Sequence, residues 1–215
     1  MSSRGSTSKR ASGDRRTPVQ HRSQETFERI LDGASVVLVD RGLDGFTTIA
    51  IAAQADINVA TIYSYFVDKY AILREMSDRY EQLREQYVEE SIARLAEGAD
   101  WRAVFNEIID GLVQFRIDYP GGMELRRAML TIPDFRHVDL DFHGRMARVV
   151  AAGLRARSGG LRPRAALRMA RVLNLAVHST LDEACADGTV DKDLVKGLKV
   201  MVSAYAAIFP SSYGK

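Results

Sequence analysis

The chain of 215 residues contains a single cysteine, Cys185, so no disulfide can form within it. One unpaired thiol fits a reducing compartment, and we therefore expect a cytoplasmic protein. No apolar run approaches the roughly 20 residues that a membrane span needs. The basic residues near the N-terminus are not followed by the apolar segment of a secretory signal. Neither a membrane-spanning nor a secreted protein is predicted.

Signatures of catalysis are equally scarce. The sequence has no Gly-rich phosphate loop and no paired carboxylates in a recognisable catalytic frame. Cys185 lies near His178 and Glu183, but a thiol nucleophile needs an activated thiolate and an oriented base. The apolar neighbours of Cys185 favour a packing role instead. We therefore predict neither an enzyme nor a cofactor.

A metal site is the other chemical alternative, and it depends on the segment RHVDLDFHG. On a helix, His137 and Asp141, or Asp139 and His143, share a face at a spacing of four residues. Such a pair supplies two ligands, whereas a closed zinc site needs four and an open one three. We favour polar side chains at a helix surface and predict no metal.

The rest of the sequence predicts helices almost throughout, without a strand pattern or an internal repeat. A hydrophobic content of 46% with 27% charged residues is ordinary for a soluble globular protein. We predict an all-α fold, in which an N-terminal three-helix head is followed by a larger helical domain. The predicted divisions are a disordered basic tail, the head and the helical body, at residues 1–22, 23–68 and 69–215.

Apolar residues at helical spacing predict the helices of the body. The first begins at about Lys69, is capped by Asp68, and buries a stripe of Ile72, Met76, Tyr80, Leu83, Tyr87 and Leu95. A second helix carries Trp101, Val104, Phe105, Ile108, Ile109 and Leu112. A shorter helix follows at about 123–131, and another helix runs from about 135 to 157. The last two helices are predicted from Pro163 to about Ala186 and from about Asp191 to Phe209.

The most informative stretch of the chain lies between Phe46 and Leu73. Ile49, Ala52 and Ala53 repeat at helical spacing, which predicts a short helix with one buried face. Asp56-Ile57-Asn58 then predicts a tight turn, since Asp and Asn bond nearby backbone amides and tolerate left-handed dihedrals. Asn58 is also a favourable N-cap for a second helix, Val59 to about Tyr65. Two short helices joined in this way form a helix-turn-helix, which can lay its second helix in the DNA major groove.

The same residues resemble the signature of the tetracycline-repressor (TetR) family. That signature runs roughly as Thr-Thr, Ile-Ala, Ala-Gly-Val, Thr-Leu-Tyr, Tyr-Phe, Lys and Leu. The chain matches it without gaps at Thr47-Thr48, Ile51-Ala52, Ala55, Ile57, Thr61-Ile62-Tyr63, Tyr65-Phe66, Lys69 and Leu73. It departs from the signature in two places. Asp56 stands where Gly is usual, and Val59 stands where a polar or basic residue is common.

The resemblance implies a sequence-specific DNA-binding transcriptional regulator, most often a repressor released from its operator by a small molecule. The implied DNA contacts are Thr47, Thr48, Val59, Ala60, Thr61, Tyr63, Ser64, Tyr65 and Lys69. Hydroxyl groups can bond phosphate oxygens, Val59 and Ala60 can contact thymine methyls, and Lys69 can pair with a phosphate. Thr61 could be partly structural, and one of the two Tyr rings could belong to the core of the head.

The net charge of +2 conceals an uneven distribution. Residues 1–22 carry six basic side chains and one acid, whereas residues 23–69 carry three basic side chains and seven acids. The predicted DNA-binding head is therefore acidic. A flexible basic tail could supply phosphate contacts or enter the minor groove, or it could be a solvated segment without a role. The sequence leaves these two interpretations open.

The last two helices carry apolar residues on more than one side. A helix of this kind must be buried on more than one side, either in a monomeric core or against a partner. The TetR resemblance implies a homodimer in which these helices pair with their copies, and a two-fold dimer predicts a near-palindromic operator. The implied interface consists of Val172, Leu175, Leu194, Leu198, Met201, Val202 and Tyr205.

The resemblance also implies a small-molecule pocket in the body. Bulky side chains of the middle helices, with two polar residues, are the candidates for its lining: Phe105, Phe115, Met123, Met129, Phe135, Phe142, Met146, Asn174 and His178. Met and Phe at helical spacing are also ordinary core residues, so each of them has that alternative role.

Two other functions stay open at the level of the sequence. The protein could activate transcription or sense another protein. It could also be a helical enzyme or ligand carrier whose head no longer binds DNA, an alternative that the acidic head and Val59 keep in view. Sequence-specific binding to an operator would discriminate against the last of these.

Overall fold

A computed structural model describes residues 18–158, 160–186 and 188–207, without the side chains of 18–21, 134 and 136–139. In these ranges the chain forms helices only, which confirms the predicted all-α fold. The helices are α1 (Pro18–Gly45), α2 (Thr48–Gln54), α3 (Val59–Tyr65), α4 (Lys69–Ala93), α5 (Trp101–Asp118), α6 (Gly122–Thr131), α7 (Arg136–Arg157), α8 (Pro163–Ala184) and α9 (Lys192–Ala207), with a 3₁₀ turn at Pro133–Phe135. None of the described helices is long and apolar enough to cross a membrane.

Local capping signals fix several helix boundaries as the sequence predicts. The Asn58 side chain accepts a hydrogen bond from the backbone of Ala60, and Asp68 accepts one from Ala71. Pro163 occupies the first turn of α8. The two caps satisfy backbone N–H groups that have no partner inside the helix. Pro163 has no backbone N–H group, so none is left without a partner at its position.

The first helix differs from the prediction at its start. It begins at Pro18, so residues 18–22, which were predicted to belong to the disordered tail, are helical. Residues 1–17 lie outside the described part of the chain. Near its other end, Gly42 adopts a positive φ of 61°, a conformation that suits glycine and interrupts the helix.

The buried face of α4 corrects one prediction. Leu83, expected in the apolar stripe, is 47% exposed, whereas the neighbouring Arg84 is fully buried. The inward face instead runs through Met76, Tyr80, Arg84 and Val88. An apolar pattern alone assigns Leu83 to the core. It does not show the polar partners on other helices that stabilise Arg84 in the interior.

The buried apolar residues form two clusters. The first joins the head to the start of α4, α6 and the 3₁₀ turn, and it includes Ile51, Ile62, Leu125 and Phe135. The second fills the body between the end of α4 and helices α5, α7, α8 and α9. The head therefore shares a core with part of the body, and both α4 and α6 contribute residues to it.

A layer of buried and partly buried polar side chains lies along α4 between these two clusters. We call it the polar layer, and its members are Ser77, Glu81, Arg84, Arg116, Arg126, His178 and Asp182. Arg84 donates to Glu81 at 2.8 Å and to His178 Nδ1 at 3.0 Å, so it links α4 to α8. Arg116 and Arg126 both donate to Asp182, at 2.9 and 2.7 Å, which links α5 and α6 to α8.

The last two helices have an inner and an outer face. Leu173, Val177, Leu198 and Val202 are buried within the protomer. Four large apolar side chains remain outside, and they are Val172, Leu175, Val200 and Met201. The prediction of apolar residues on more than one side of these helices therefore agrees with the structure.

Candidate functional site

The turn between α2 and α3 is held in place by α1. Asp56 has a positive φ of 51°, as its position in the signature predicts. Arg29 of α1 donates to the backbone oxygens of Ala55 and Asp56, at 2.7 and 3.0 Å. A Cβ atom on Gly33 would lie 3.0 Å from the Ala55 Cβ, so α1 and the turn pack too closely for a larger residue. These contacts fix the orientation of α3 relative to α1.

Replacing Asp56 with Gly is expected to stabilise the protein by about 0.5–1 kcal/mol, because Gly adopts left-handed dihedrals without a Cβ clash. Asp56→Ala is the matched control: it removes the same carboxylate but keeps the Cβ. We expect this variant to lose about 1 kcal/mol. Urea unfolding measures both effects. Equal changes in the two variants would show that the carboxylate, and not the dihedral strain, sets the stability here.

The outer face of α3 carries three of the nine predicted DNA contacts. Ala60, Tyr63 and Ser64 are exposed, and Tyr63 keeps 56% of its surface accessible. The hydroxyl groups of Tyr63 and Thr48 lie 3.2 Å apart, so this bond ties the exposed edge of α3 to α2. Thr48 and Tyr63 therefore present two hydroxyl groups together on one surface.

Thr47 is also exposed, whereas the remaining predicted contacts are partly buried. Thr47 caps α2 by accepting from the backbone of Ala50. Tyr65 is the tyrosine that belongs partly to the core: it packs near Phe27 and donates to Ser23 Oγ at 3.2 Å. Val59, Thr61 and Lys69 are half-buried. Thr47 and Tyr65 thus have structural bonds in addition to any contact with DNA.

The head is joined to α4 by an ion pair that sequence analysis did not identify. Arg79 of α4 donates through two nitrogens to Glu28 of α1, at 2.6 and 3.0 Å. Its guanidinium also lies over the Phe27 ring. The Arg79 hydrogen bond holds the pKa of Glu28 below its ordinary value. The pair therefore ties α4 to α1 at the base of the head.

A small cavity lies in the body among α4, α5, α7 and α8. Its volume is about 40 Å³, and its apolar lining includes Val88, Phe105, Ile109 and Met146. Two polar residues, Asn174 and His178, complete the lining. We call it the body cavity. This volume holds little more than one or two water molecules, so a larger guest requires the surrounding helices to move apart.

The predicted pocket residues fall into several places. Phe105, Met146, Asn174 and His178 line the body cavity. Phe142 is buried beside it, with its ring centre 5.9 Å from that of His178. The others lie elsewhere. Phe115 lines a groove between α4 and α5, Met123 lines a cleft beside α6, and Met129 and Phe135 belong to the cluster that includes the head.

His178 joins the body cavity to the polar layer. Its Nδ1 accepts from Arg84 at 3.0 Å and faces Arg116 at 3.4 Å, so the neutral ring carries its proton on Nε2. Burial, followed by the positive charge of Arg84, lowers the pKa of His178 well below its ordinary value. The ring is therefore neutral near pH 7.

Asn174 fixes the position of a second histidine at the same place. Its side-chain amide donates to the backbone oxygen of His143 at 2.9 Å and lies 3.2 Å from His143 Nδ1. The rings of His143 and His178 approach edge to face, with their centres 4.5 Å apart. The polar end of the body cavity thus belongs to a network that connects α7 and α8.

The polar layer was missed by sequence analysis, apart from His178. Arg84, Arg116, Arg126 and Asp182 gave no signal, because single charged residues in amphipathic helices are usually solvated. Their partners are distant in sequence: Arg84 and His178 are 94 positions apart. An arginine that stands where a helical stripe requires an apolar residue is the one signal that could have identified Arg84.

The alternatives of a thiol nucleophile at Cys185 and of a metal site gain no support. Cys185 is buried, and burial raises the pKa of its thiol, whereas a nucleophile needs a lowered one. Among the side chains that the structure describes, no three His, Cys, Asp or Glu residues are grouped to hold a metal ion. The side chains of His137 and Asp139 lie outside that set.

Comparison with protein families and solved structures gives concordant results. Residues 30–76 match the model described as bacterial regulatory proteins, tetR family, and residues 100–205 match that of a tetracyclin repressor-like C-terminal domain. No curated protein matches the chain. A structure described as a TetR-family transcriptional regulator from Mesorhizobium loti has 19% identity and a TM-score of 0.71, covering 87% of this chain and 98% of its own.

Two further solved structures share the fold. One, from Streptomyces coelicolor, is described as a TetR-family transcriptional regulator and has 22% identity, a TM-score of 0.62, and coverage of 85% of this chain and 98% of its own. The other is the multidrug binding protein EbrR complexed with ethidium, with 19% identity and a TM-score of 0.61. The match to EbrR covers 84% of this chain and 98% of EbrR.

Proposed function

The chain belongs to the TetR family of transcriptional regulators, and from this premise we propose that it is a cytoplasmic homodimeric repressor. It binds a near-palindromic operator through α2 and α3 and is released by a small molecule. The observation that carries the proposal is the outer face of α3, where Ala60, Tyr63 and Ser64 stand exposed on a helix fixed by α1.

The contacts proposed for each half-site follow from the chemistry of this face. The hydroxyl groups of Thr48 and Tyr63 lie 3.2 Å apart, so one donates to the other and the accepting hydroxyl can donate its own proton to a phosphate oxygen. Ala60 and the half-buried Val59 offer only apolar contacts, which fit thymine methyl groups. Ser64 already donates to the backbone oxygen of Thr61, and its oxygen can still accept a bond from a base.

Dimerisation through α8 and α9 is supported by the apolar side chains left outside the protomer. Val172, Leu175 and Met201 are exposed, and Leu194 and Tyr205 are half-buried. Leu198 and Val202, also expected in the interface, are buried in their own protomer and contribute little contact area. We therefore restrict the proposed interface to the first five. The two-fold axis would place the α3 helices about 34 Å apart, or one turn of DNA.

The effector is proposed to enter the body cavity, with its polar atoms near Asn174 and His178. Because the cavity is about 40 Å³, binding must separate the helices around it. His178 is bonded to Arg84 on α4, and α4 is joined to the head by Arg79. Release of DNA requires only that the effector prefer the arrangement in which the two heads no longer match the operator.

Lys69→Ala is expected to weaken binding to all DNA sequences alike and to reduce the salt slope of binding by about one, since Lys69 is proposed to contact a phosphate. Lys192→Ala is the matched control, because Lys192 is an exposed lysine at the start of α9, a helix of the body. Titrations at several salt concentrations give both slopes. An unchanged slope in Lys69→Ala would rule out the phosphate contact.

A gel-shift with the DNA upstream of the protein's own gene, at two salt concentrations, tests the proposal as a whole. A repressor should give a salt-sensitive shift that excess specific duplex removes and bulk DNA does not. A folded dimer that shifts every duplex equally would contradict sequence-specific binding. One that shifts no duplex would point first to a distant operator and next to the ligand carrier whose head no longer binds DNA. The acidic charge of residues 23–69 makes this control necessary.

A further inference from the structure

A second site lies outside the body cavity, further along α8 towards its C-terminal end, where Asp182 and Ala186 line it instead of Asn174 and His178. Two adjoining cavities of about 150 and 490 Å³ share Arg116, Met123, Arg127 and Ala186 among their lining residues. We call them together the α6 cleft. It runs along α6, between the end of α5 and the end of α8. Its combined size is far larger than that of the body cavity.

The smaller cavity is the inner part of the α6 cleft, and the larger cavity is its outer part. The inner part carries an excess of positive charge. Its lining includes three arginines, Arg116, Arg126 and Arg127, but a single carboxylate, Asp182. Asp182 is already bonded to both Arg116 and Arg126. Arg127 is exposed, and no ion pair of its guanidinium is found in the described part of the chain. The outer cavity adds one further acidic residue, Glu124, so the cleft as a whole has three arginines and two carboxylates and favours an anion over a cation.

One buried donor at this site lacks a partner. Arg116 is 1% exposed, and its Nε has no hydrogen-bond partner among the described residues. Burial, followed by the nearby charge of Arg84, lowers the pKa of Arg116. A buried cation with an unpaired N–H group is costly, and a bound anion in the cleft would reduce that cost.

The walls of the α6 cleft are partly apolar. Met123 contacts both cavities, Leu130 lines the inner one, and Val39 and Ile117 line the outer one. Leu130, Val39 and Ile117 are about half exposed, at 55%, 52% and 46%. Large apolar side chains next to a cationic pocket suit a ligand that has an anionic group at one end and an apolar body at the other.

We propose that the α6 cleft binds a small organic anion, with a carboxylate or phosphate group beside Arg127 and Arg116 and an apolar body along Met123 and Ile117. The ligand would contact Val39 of α1 and Ala186 beyond α8 at the same time. It therefore bridges the head and the body. Binding at this site does not depend on the proposed repressor function.

The test uses four probes with the same six-carbon chain: hexanoate, hexyl phosphate, hexan-1-ol and hexylammonium. Binding is followed through the methyl groups of methionine by NMR, because Met123 lines the α6 cleft and Met146 lines the body cavity. We expect hexanoate or hexyl phosphate to shift the Met123 signal at millimolar concentration and to leave Met146 unchanged. The stronger of the two anions identifies the preferred head group.

Arg127→Glu is the decisive variant, and Arg148→Glu on α7 is its matched control with the same change in net charge. Both side chains are exposed, so both variants should fold. Loss of a charge-assisted bond of about 1.5–3 kcal/mol predicts at least tenfold weaker binding of the anion by Arg127→Glu. Arg148→Glu should bind as the wild type does.

Three results would overturn the proposal. They are equal shifts of Met123 by hexan-1-ol or hexylammonium, equal effects of Arg127→Glu and Arg148→Glu, and no shift of Met123 by either anion. A shift of Met146 alone would assign the binding to the body cavity and would likewise contradict the α6 cleft. A gel-shift on the same samples reports separately on DNA binding.

Discussion

Replacing Arg84 with Met is expected to lower the free energy of unfolding by about 3–5 kcal/mol, although Met fills a similar volume. The reason is Glu81, which is 3% exposed and receives two hydrogen bonds from Arg84, at 2.8 and 2.9 Å. Without Arg84, Glu81 loses its paired cation in the interior. His178 Nδ1 also loses the closer of its two donors. Urea denaturation at pH 7 measures the change.

The double variant Glu81→Leu/Arg84→Met provides the control for this prediction. Replacing both members of a buried ion pair with apolar residues is often neutral or stabilising, because the desolvation cost of both charges disappears. We expect the double variant to recover more than half of the stability that Arg84→Met loses. A loss below about 1 kcal/mol in Arg84→Met would contradict the buried pair, since surface pairs contribute about that much or less.

Acidification is expected to destabilise the protein through His178. Its pKa is lowered in the folded state, whereas in the unfolded chain it is about 6.5. Above pH 6.5 the ring is neutral in both states, and its contribution to stability is fully present. As the pH falls below 6.5, the unfolded chain takes up a proton that the folded protein excludes. Stability then falls by up to about 1.4 kcal/mol per pH unit until the folded pKa is reached.

The variant His178→Gln isolates this contribution. Glutamine does not titrate, and its side-chain oxygen can accept from Arg84 in place of Nδ1. We expect the free energy of unfolding, measured in urea, to decline less between pH 7.5 and 5 in the variant. The reason is that unfolding of the wild type at low pH takes up about one more proton than unfolding of the variant does. Asp182 does not contribute in this range, because its pKa is lowered from 3.8 and its effect is lost only at lower pH. Parallel pH profiles for the two proteins would contradict a neutral, buried His178.

The helix-turn-helix could be predicted from sequence because its signals are local. Asn58 and Asp68 cap their helices through bonds within three residues along the chain, and Asp56 adopts the positive φ that the turn requires, so all three behave as predicted. The helices of the body follow from apolar spacing for a similar reason. Their ends are less well predicted: α8 ends at Ala184, two residues before the expected position.

Tertiary placement could not be predicted in the same way. Helical spacing identifies which side of a helix is buried, but not which of the two apolar clusters it enters. Met129 and Phe135 were therefore grouped with Phe105 and Met146, although the first two pack with the head. The polar layer depends on partners from four helices, such as Arg126 and Asp182, 56 positions apart. No local pattern specifies such a contact.

Selection of bound duplexes from a random-sequence pool by the purified, full-length protein tests the central claim most directly. If the protein is a dimeric operator-binding regulator, selection should yield one near-palindrome with half-sites about 10 base pairs apart. Binding should occur at two protomers per palindrome, and Tyr63→Ala should abolish the enrichment. A pool with no enriched sequence, from protein that is folded and dimeric, would contradict specific DNA recognition by α2 and α3.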